Sequence, residues 1–286
     1  MPTRRQLIQS AGLATAAIAS SPLASLAQET PPTNRGRLYK AVKTNGSLTA
    51  EKLAEIRSLG FDGIEGVSPG VEDPVAYQKI LAEGGLPMHG VVDMVHWKQR
   101  LSSPDPATRE IGRLALEQAI RDADRFGGSS VLLVPGKVGG EDETHEHLWQ
   151  RSIEEIRKAL PVASYHGIQI LIETVWNGFC YDPIQLRDYI DEIDSPWVKV
   201  YLDFGNMQKY APPADWIRTL GDRIVKLDVK DWGEKNGFCP LGEGDVDWVA
   251  LRDALAEIEF TGWATREGSD GGLEKTAALM DELLAL

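Results

Sequence analysis

Eight short apolar runs, alternating with helical patterns, organise the sequence from Leu38 onward. They are Leu38–Lys43, Gly63–Val67, Met88–Val92, Ser130–Pro135, Ile168–Glu173, Val198–Asp203, Ile224–Val229 and Gly262–Glu267. Each is too short for a helix and is bounded by Gly, Pro or Asp, as buried strands are. Helical spacing follows Thr49, a helix cap, over Ala50–Ile56 and recurs over Pro106–Phe126, Glu146–Tyr165, Pro183–Ile193, Asp215–Leu220, Asp247–Ile258 and Gly272–Leu286. Gly60, Gly127, Gly167 and Gly221 close helical runs just ahead of strands. Eight strands with intervening helices over about 250 residues is the count of an α/β (β/α)8, or TIM, barrel. A doubly wound open sheet is the alternative, but no G-x-G-x-x-G follows the first strand.

Composition agrees with one large core. Of the 286 residues, 42% are hydrophobic and 26% charged, and the 28 Gly and 16 Pro are spread among periodic segments, which excludes long disorder and a coiled coil. Acidic residues number 43 against 30 basic ones, giving a net charge of -13. Such a chain repels phosphate backbones, so nucleic acid is not an expected partner.

The N-terminus reads differently. Arg4-Arg5 precedes a mild apolar run, Ala11–Ala19, and Ser25-Leu26-Ala27 offers small residues where a signal peptidase cuts. The expectation is a twin-arginine signal peptide over 1–27, recognised by the twin-arginine export machinery, then a linker over 28–37 and the barrel over 38–286. The mature protein would be periplasmic or secreted. No other stretch approaches the ~18 apolar residues of a membrane span.

In such barrels active sites lie at the C-terminal ends of the strands. Here Glu65 and Asp228 lie within strand runs, while Glu173, Asp203 and Glu267 close theirs. A carboxylate closing a run such as Ile-Gln-Ile-Leu-Ile-Glu is costly unless something positive meets it. Any one of them alone reads as a cap or a surface group. Several converging on one mouth need raised pKa values or a cation among them, and a divalent metal answers that need economically.

Five motifs carry a resemblance. Ile-Glu-Thr-Val-Trp-Asn around Glu173, Leu-Asp-Phe-Gly-Asn around Asp203, Val-Lys-Asp at 229–231, Gly-Glu-Gly-Asp-Val-Asp-Trp at 242–248 and Gly-Trp-Ala-Thr-Arg-Glu at 262–267 resemble the sugar phosphate isomerase/epimerase group. That group belongs to the xylose isomerase-like TIM barrels, with hydroxypyruvate isomerases, ketose 3-epimerases and the endonuclease IV relatives. The resemblance runs from about Leu38 to the C-terminus. It implies metal ligands at Glu173, Asp203 and Glu267, with Asp228 where the family usually has His. All five histidines precede the fifth strand or end the helix before it. An all-oxygen set favours Mn²⁺ or Mg²⁺ over Zn²⁺ and argues against the histidine-rich zinc cluster of endonuclease IV.

What the resemblance implies for the chemistry is proton transfer. The metal acidifies a carbon-bound proton, one glutamate removes it, and a second group returns a proton to the opposite face or the adjacent carbon. Glu173 and Glu267 are the expected acid/base pair. Substrate contacts are expected at His89, His96, Trp97, Trp176, Asn177, Asn206 and Lys230, with the Gly-rich segment Trp232–Trp248 as a lid. His89 reads equally well as a buried structural histidine. Cys180 and Cys239 lie in loops two strands apart, so an export-driven disulfide is geometrically disfavoured. Three functions stay open: a metal-dependent sugar isomerase or epimerase, a lyase or hydrolase of 3-keto-glycosides using the same site, and a sugar-binding protein without catalysis. Homo-oligomerisation also stays open.

Overall fold

The computed structural model describes residues 36–44 and 48–286. The signal-peptide assignment and all of the linker except Gly36 and Arg37 fall outside them. The barrel strands are β1 (Leu38–Lys43), β2 (Gly63–Ser68), β3 (Met88–Asp93), β4 (Ser130–Leu133), β5 (Gln169–Ile172), β6 (Val198–Asp203) and β7 (Ile224–Val229), completed by Gly262–Arg266. Two short strands, β8 (Asp231–Gly233) and β9 (Gly237–Cys239), form a separate antiparallel hairpin, so the last barrel strand is β10. The barrel closes in the order β1-β10-β7-β6-β5-β4-β3-β2, with every neighbouring pair parallel. This is a TIM barrel.

The helices start where the sequence supplies caps. Helix α1 (Ala50–Ser58) is opened by Thr49, whose side chain accepts from the Lys52 backbone N–H. Asp73, Asp105 and Asp182 cap α2 (Pro74–Gly84), α3 (Pro106–Arg125) and α5 (Pro183–Ile193). Each is followed by proline, which has no N–H to leave unpaired in the first turn. Gly167 ends α4 (His145–His166) at φ 68°, a conformation that costs glycine little. Helix α2 is missing from the sequence reading: its apolar stripe is short, with Tyr77, Ile80 and Leu81 only partly buried against the core and a glycine, Gly84, at its one fully buried position. The five-residue α6 (Phe204–Gln208), directly after β6, is too short for periodicity to show.

The remaining helices are α7 (Pro213–Leu220), α8 (Trp248–Glu257) and α9 (Leu273–Leu284). Among the described residues, no helix is long and apolar enough to cross a membrane. Apolar side chains such as Leu116, Ile120, Ile156, Leu186, Ile217 and Leu251 fill the layer between helices and barrel. Trp216 is fully buried in that layer, as packing residues are.

The Gly-rich segment expected as a lid is anchored at its base. Asp231 is fully buried and accepts hydrogen bonds from the backbone N–H groups of Trp232 at 2.9 Å, Gly242 at 2.8 Å and Gly244 at 3.2 Å. A Cβ at Gly244 would lie 2.1 Å from the Asp231 carboxylate, so only glycine allows this approach. Asp231→Ala strands these donors and is expected to lower stability by about 3 kcal/mol. Urea unfolding with an unshifted midpoint would contradict that anchoring role. Cys180 is buried, Cys239 is partly exposed, and both are free thiols, so no disulfide joins them.

Candidate active site and metal centre

Residues two apart on a barrel strand face the same side. That rule puts Tyr201 and Asp203 together on β6, Lys226 and Asp228 on β7, and Thr265 and Glu267 at the end of β10. Asp203 pairs in register with Asp228, and Asp228 with Thr265. The outcome is a cluster at the C-terminal mouth: Glu173, Asp203, Asp228 and Glu267 each offer an oxygen, all within 4.8 Å of one another.

Two ammonium groups reach into the cluster. Lys43, the last residue of β1, lies 2.7 Å from Asp228 Oδ2, 2.9 Å from Glu267 Oε2 and 3.8 Å from Glu65 Oε2. Lys230 lies 2.9 Å from Asp203 Oδ2 and 3.1 Å from Glu267 Oε1. Sequence reading missed Lys43, although the rule that picked the carboxylates, the strand-ending residue, would have picked it too. Asn206, at the start of the short helix after β6, donates to Glu173 Oε1 at 3.0 Å, and its backbone N–H donates to Asp203 Oδ1 at 2.7 Å.

These surroundings separate the carboxylates. Burial pushes Glu173 up to about 8 despite Lys43, and the charges of Asp203 and Glu267 add to the rise. Glu267 is also penalised by burial, but Lys43 and Lys230 outweigh that and hold it down to about 2. Asp203 and Asp228 are raised, in both cases first by burial. Lys43 is driven well above its ordinary value: burial opposes this, but Asp228, Glu65 and Glu267 prevail.

The residues fit a divalent cation. Asp228 Oδ1 is buried and accepts no hydrogen bond, and the buried Asp203 Oδ2 meets only the Lys230 ammonium at 2.9 Å; a bound cation relieves such a shortage of partners. The four oxygens, all within 4.8 Å of one another, lie close enough together to share one oxygen-bound ion.

Beneath the mouth, the barrel interior holds a buried polar chain. Lys226 Nζ lies 2.9 Å from His89 Nδ1 and donates to the His89 carbonyl at 2.6 Å. His89 Nε2 lies 3.0 Å from Thr265 Oγ1, which accepts from the Tyr201 hydroxyl at 2.9 Å; the same hydroxyl is 3.2 Å from Glu65 Oε2. His89 also stacks on Trp263, with centroids 4.6 Å apart. It is therefore a structural histidine within the barrel and does not line the mouth, contrary to its assignment as a substrate contact.

Above the cluster opens a cavity of about 600 Å³. Glu173, Glu267, His96, Trp97, Asn206 and Lys230 line it, as expected from sequence, together with Lys43 and Phe238, which were not expected. His96 Nδ1 accepts from the Val134 backbone N–H at 3.2 Å, leaving Nε2 to carry its proton. Trp176 and Asn177 face an adjoining cavity instead. Asn177 is committed to the backbone there, donating to the Gly136 carbonyl at 2.7 Å and accepting from the Phe179 N–H at 3.3 Å, which argues against a substrate role.

Residues 53–285 match the family described as xylose isomerase-like TIM barrel. The chain belongs to that family. Over 231 residues, 74% of this chain and 80% of the relative, it is 26% identical to a provisionally named L-ribulose-5-phosphate 3-epimerase of Escherichia coli strain K12. Among solved structures, the D-allulose 3-epimerase from Methylomonas sp. superposes with a TM-score of 0.72 at 22% identity, covering 87% of this chain and 98% of that one. The 3-keto-D-glucoside 4-epimerase of E. coli gives 0.74 at 17% identity, covering 87% of this chain and 100% of that one. At these identities the structural likeness shows the shared fold.

Proposed function

We propose that this family member is an exported, divalent-metal-dependent sugar isomerase or epimerase that moves a carbon-bound proton through an enediolate. The observation that carries the reading is the pair Glu173 and Glu267 facing one cavity from either side of the Asp203–Asp228 register pair. The E. coli relative supports it, since its name is that of a sugar epimerase.

Glu173, Asp203, Asp228 and Glu267 would hold the ion, with Mn²⁺ or Mg²⁺ suited to the all-oxygen set. When bound, it would polarise the sugar carbonyl and the neighbouring hydroxyl. Glu267, kept ionised by Lys43 and Lys230, removes the carbon-bound proton. Glu173 lies across the cavity, held by Asn206, where it can exchange a proton with the substrate from the other side. Lys230 sits where it can balance the charge developing on the enediolate. His96 offers Nε2–H to a hydroxyl.

The test is solvent exchange. The Mn²⁺-loaded protein is incubated in ²H₂O with free ketoses and with 3-keto-glucosides, and products are read by NMR. Deuterium at one carbon of an epimer or isomer is expected, while elimination of the aglycone would identify the lyase reading. Metal-loaded protein that catalyses neither exchange nor elimination would overturn the assignment. Export has its own test: replacing Arg4 and Arg5 with Lys should leave precursor in the cytoplasm, and unchanged export would refute the twin-arginine route.

A further inference from the structure

The active-site cavity continues beyond the space that one reacting sugar needs. A second cavity of about 460 Å³ adjoins the first, and both have Trp97, Val175, Asn206 and Phe238 in their walls. The first alone, at about 600 Å³, already falls in the range of ~300–1,000 Å³ that buries a drug-sized ligand. A single pyranose at Glu173 and Glu267 therefore leaves the second cavity unfilled.

The aromatic rings around it are not equivalent. Trp176 and Phe238 stack on one another with centroids 4.7 Å apart, Lys209 lies 4.1 Å over Trp176, and Lys230 lies 5.0 Å over Phe238. Those rings form a preassembled wall whose faces are already used. Trp97 differs in what its faces meet: it is 47% exposed, about as much as Phe238 at 49%, but its ring contact among the described residues is an edge-on approach to His96 at 4.9 Å, with no ring or cation stacked on it. Its indole is the aromatic surface left open where the two cavities meet.

The polar groups narrow the ligand further. Arg100 is held by Glu143 through two hydrogen bonds, of 3.1 and 2.6 Å, so it is not free to bind an anion. Lys137 lies at the exposed rim, and its ammonium makes no hydrogen bond or ion pair among the described residues. One apolar plate with a single polar rim group suits a sugar ring. The C–H face of a pyranose packs on an indole by dispersion and water exclusion, while its edge hydroxyls remain free to accept. A phosphate would instead want several convergent donors.

We infer that the second cavity is a subsite for a second pyranose ring, so that the substrate is a glycoside of two sugars and not a free monosaccharide. This rests on the sugar-processing reading of the site. It is tested by binding, which needs no turnover. The full Mn²⁺-loaded protein is titrated calorimetrically with D-glucose, cellobiose, phenyl β-D-glucoside and D-glucose 6-phosphate. Cellobiose is expected to bind at least tenfold tighter than D-glucose. Trp97→Ala should remove most of that advantage, and Lys137→Met should reduce it. The inference is overturned if cellobiose shows no binding or no advantage, or if the advantage survives in Trp97→Ala. Tighter binding of phenyl β-D-glucoside would assign the subsite to an aryl group, and tighter binding of D-glucose 6-phosphate to a phosphate, each against the inference. Absence of solvent exchange with every sugar would count against the reaction and leave these affinities standing.

Discussion

Glu267→Gln is expected to lower turnover by about 10²–10⁴-fold, the loss that follows removal of a positioned proton-transfer group. Glutamine keeps the size of the side chain and an oxygen for the ion, so metal affinity should fall far less than turnover does. The ion pairs to Lys43 and Lys230, at 2.9 and 3.1 Å, keep Glu267 ionised and so able to accept a proton, which an amide cannot do. Glu173→Gln should be comparably damaging, because Asn206 would still hold the side chain but no exchangeable carboxyl proton would remain. Steady-state kinetics, with deuterium incorporation read in the same samples, check both variants. A Glu267→Gln protein that binds metal and turns over at near-parent rate would leave Glu267 a ligand only.

Asp228→Ala is expected to weaken Mn²⁺ binding by about a hundredfold or more, since losing even a residue that only hydrogen-bonds to a ligand costs ~10–100-fold. The carboxylate is fully buried, and its Oδ1 accepts no hydrogen bond, as a ligand atom awaiting its ion would be. Asp228→His should shift preference toward zinc, because imidazole is a ligand zinc favours. It should also expose the role of Lys43, which lies 2.7 Å from Asp228 Oδ2 and balances the negative charge that a neutral imidazole would lack. Lys43→Met combined with Asp228→His is therefore expected to bind zinc more tightly than Asp228→His alone. Titration calorimetry with parallel thermal melts separates affinity from folding. Asp228→Ala binding Mn²⁺ as tightly as the parent would remove Asp228 from the ligand set.

Particular residues show where sequence reading reached and where it stopped. Strand-ending carboxylates were legible because a charge closing an apolar run is costly, and the barrel brings Glu173, Asp203, Asp228 and Glu267 together. His89 was misplaced because the sequence shows a histidine on a strand but not the height at which it enters the barrel. Lys226 from β7, Thr265 from β10 and the Trp263 ring claim it before any ligand can. Lys226 can reach across only because Gly90 carries no side chain: a Cβ there would lie 2.9 Å from its Nζ. The hairpin within the expected lid segment is not legible because Gly-rich sequence signals turns and says nothing of Asp231, whose partners lie up to 15 residues away.

The sequence by itself determined the eightfold alternation, the caps that start most helices and the row of carboxylates at strand ends. These are local properties: period-two and period-3.6 burial, proline and aspartate at helix starts, and the desolvation cost of a charge beside apolar neighbours. Only the tertiary structure decided which side chains face one another across the closed barrel. Closure pairs β1 with β10, setting Lys43 against Glu267 across 224 residues of chain. It also decided that Trp176 and Phe238 stack on one another while the faces of Trp97 carry no stacked ring. Such pairings depend on barrel register and on loops meeting from distant segments, and no short-range pattern encodes them.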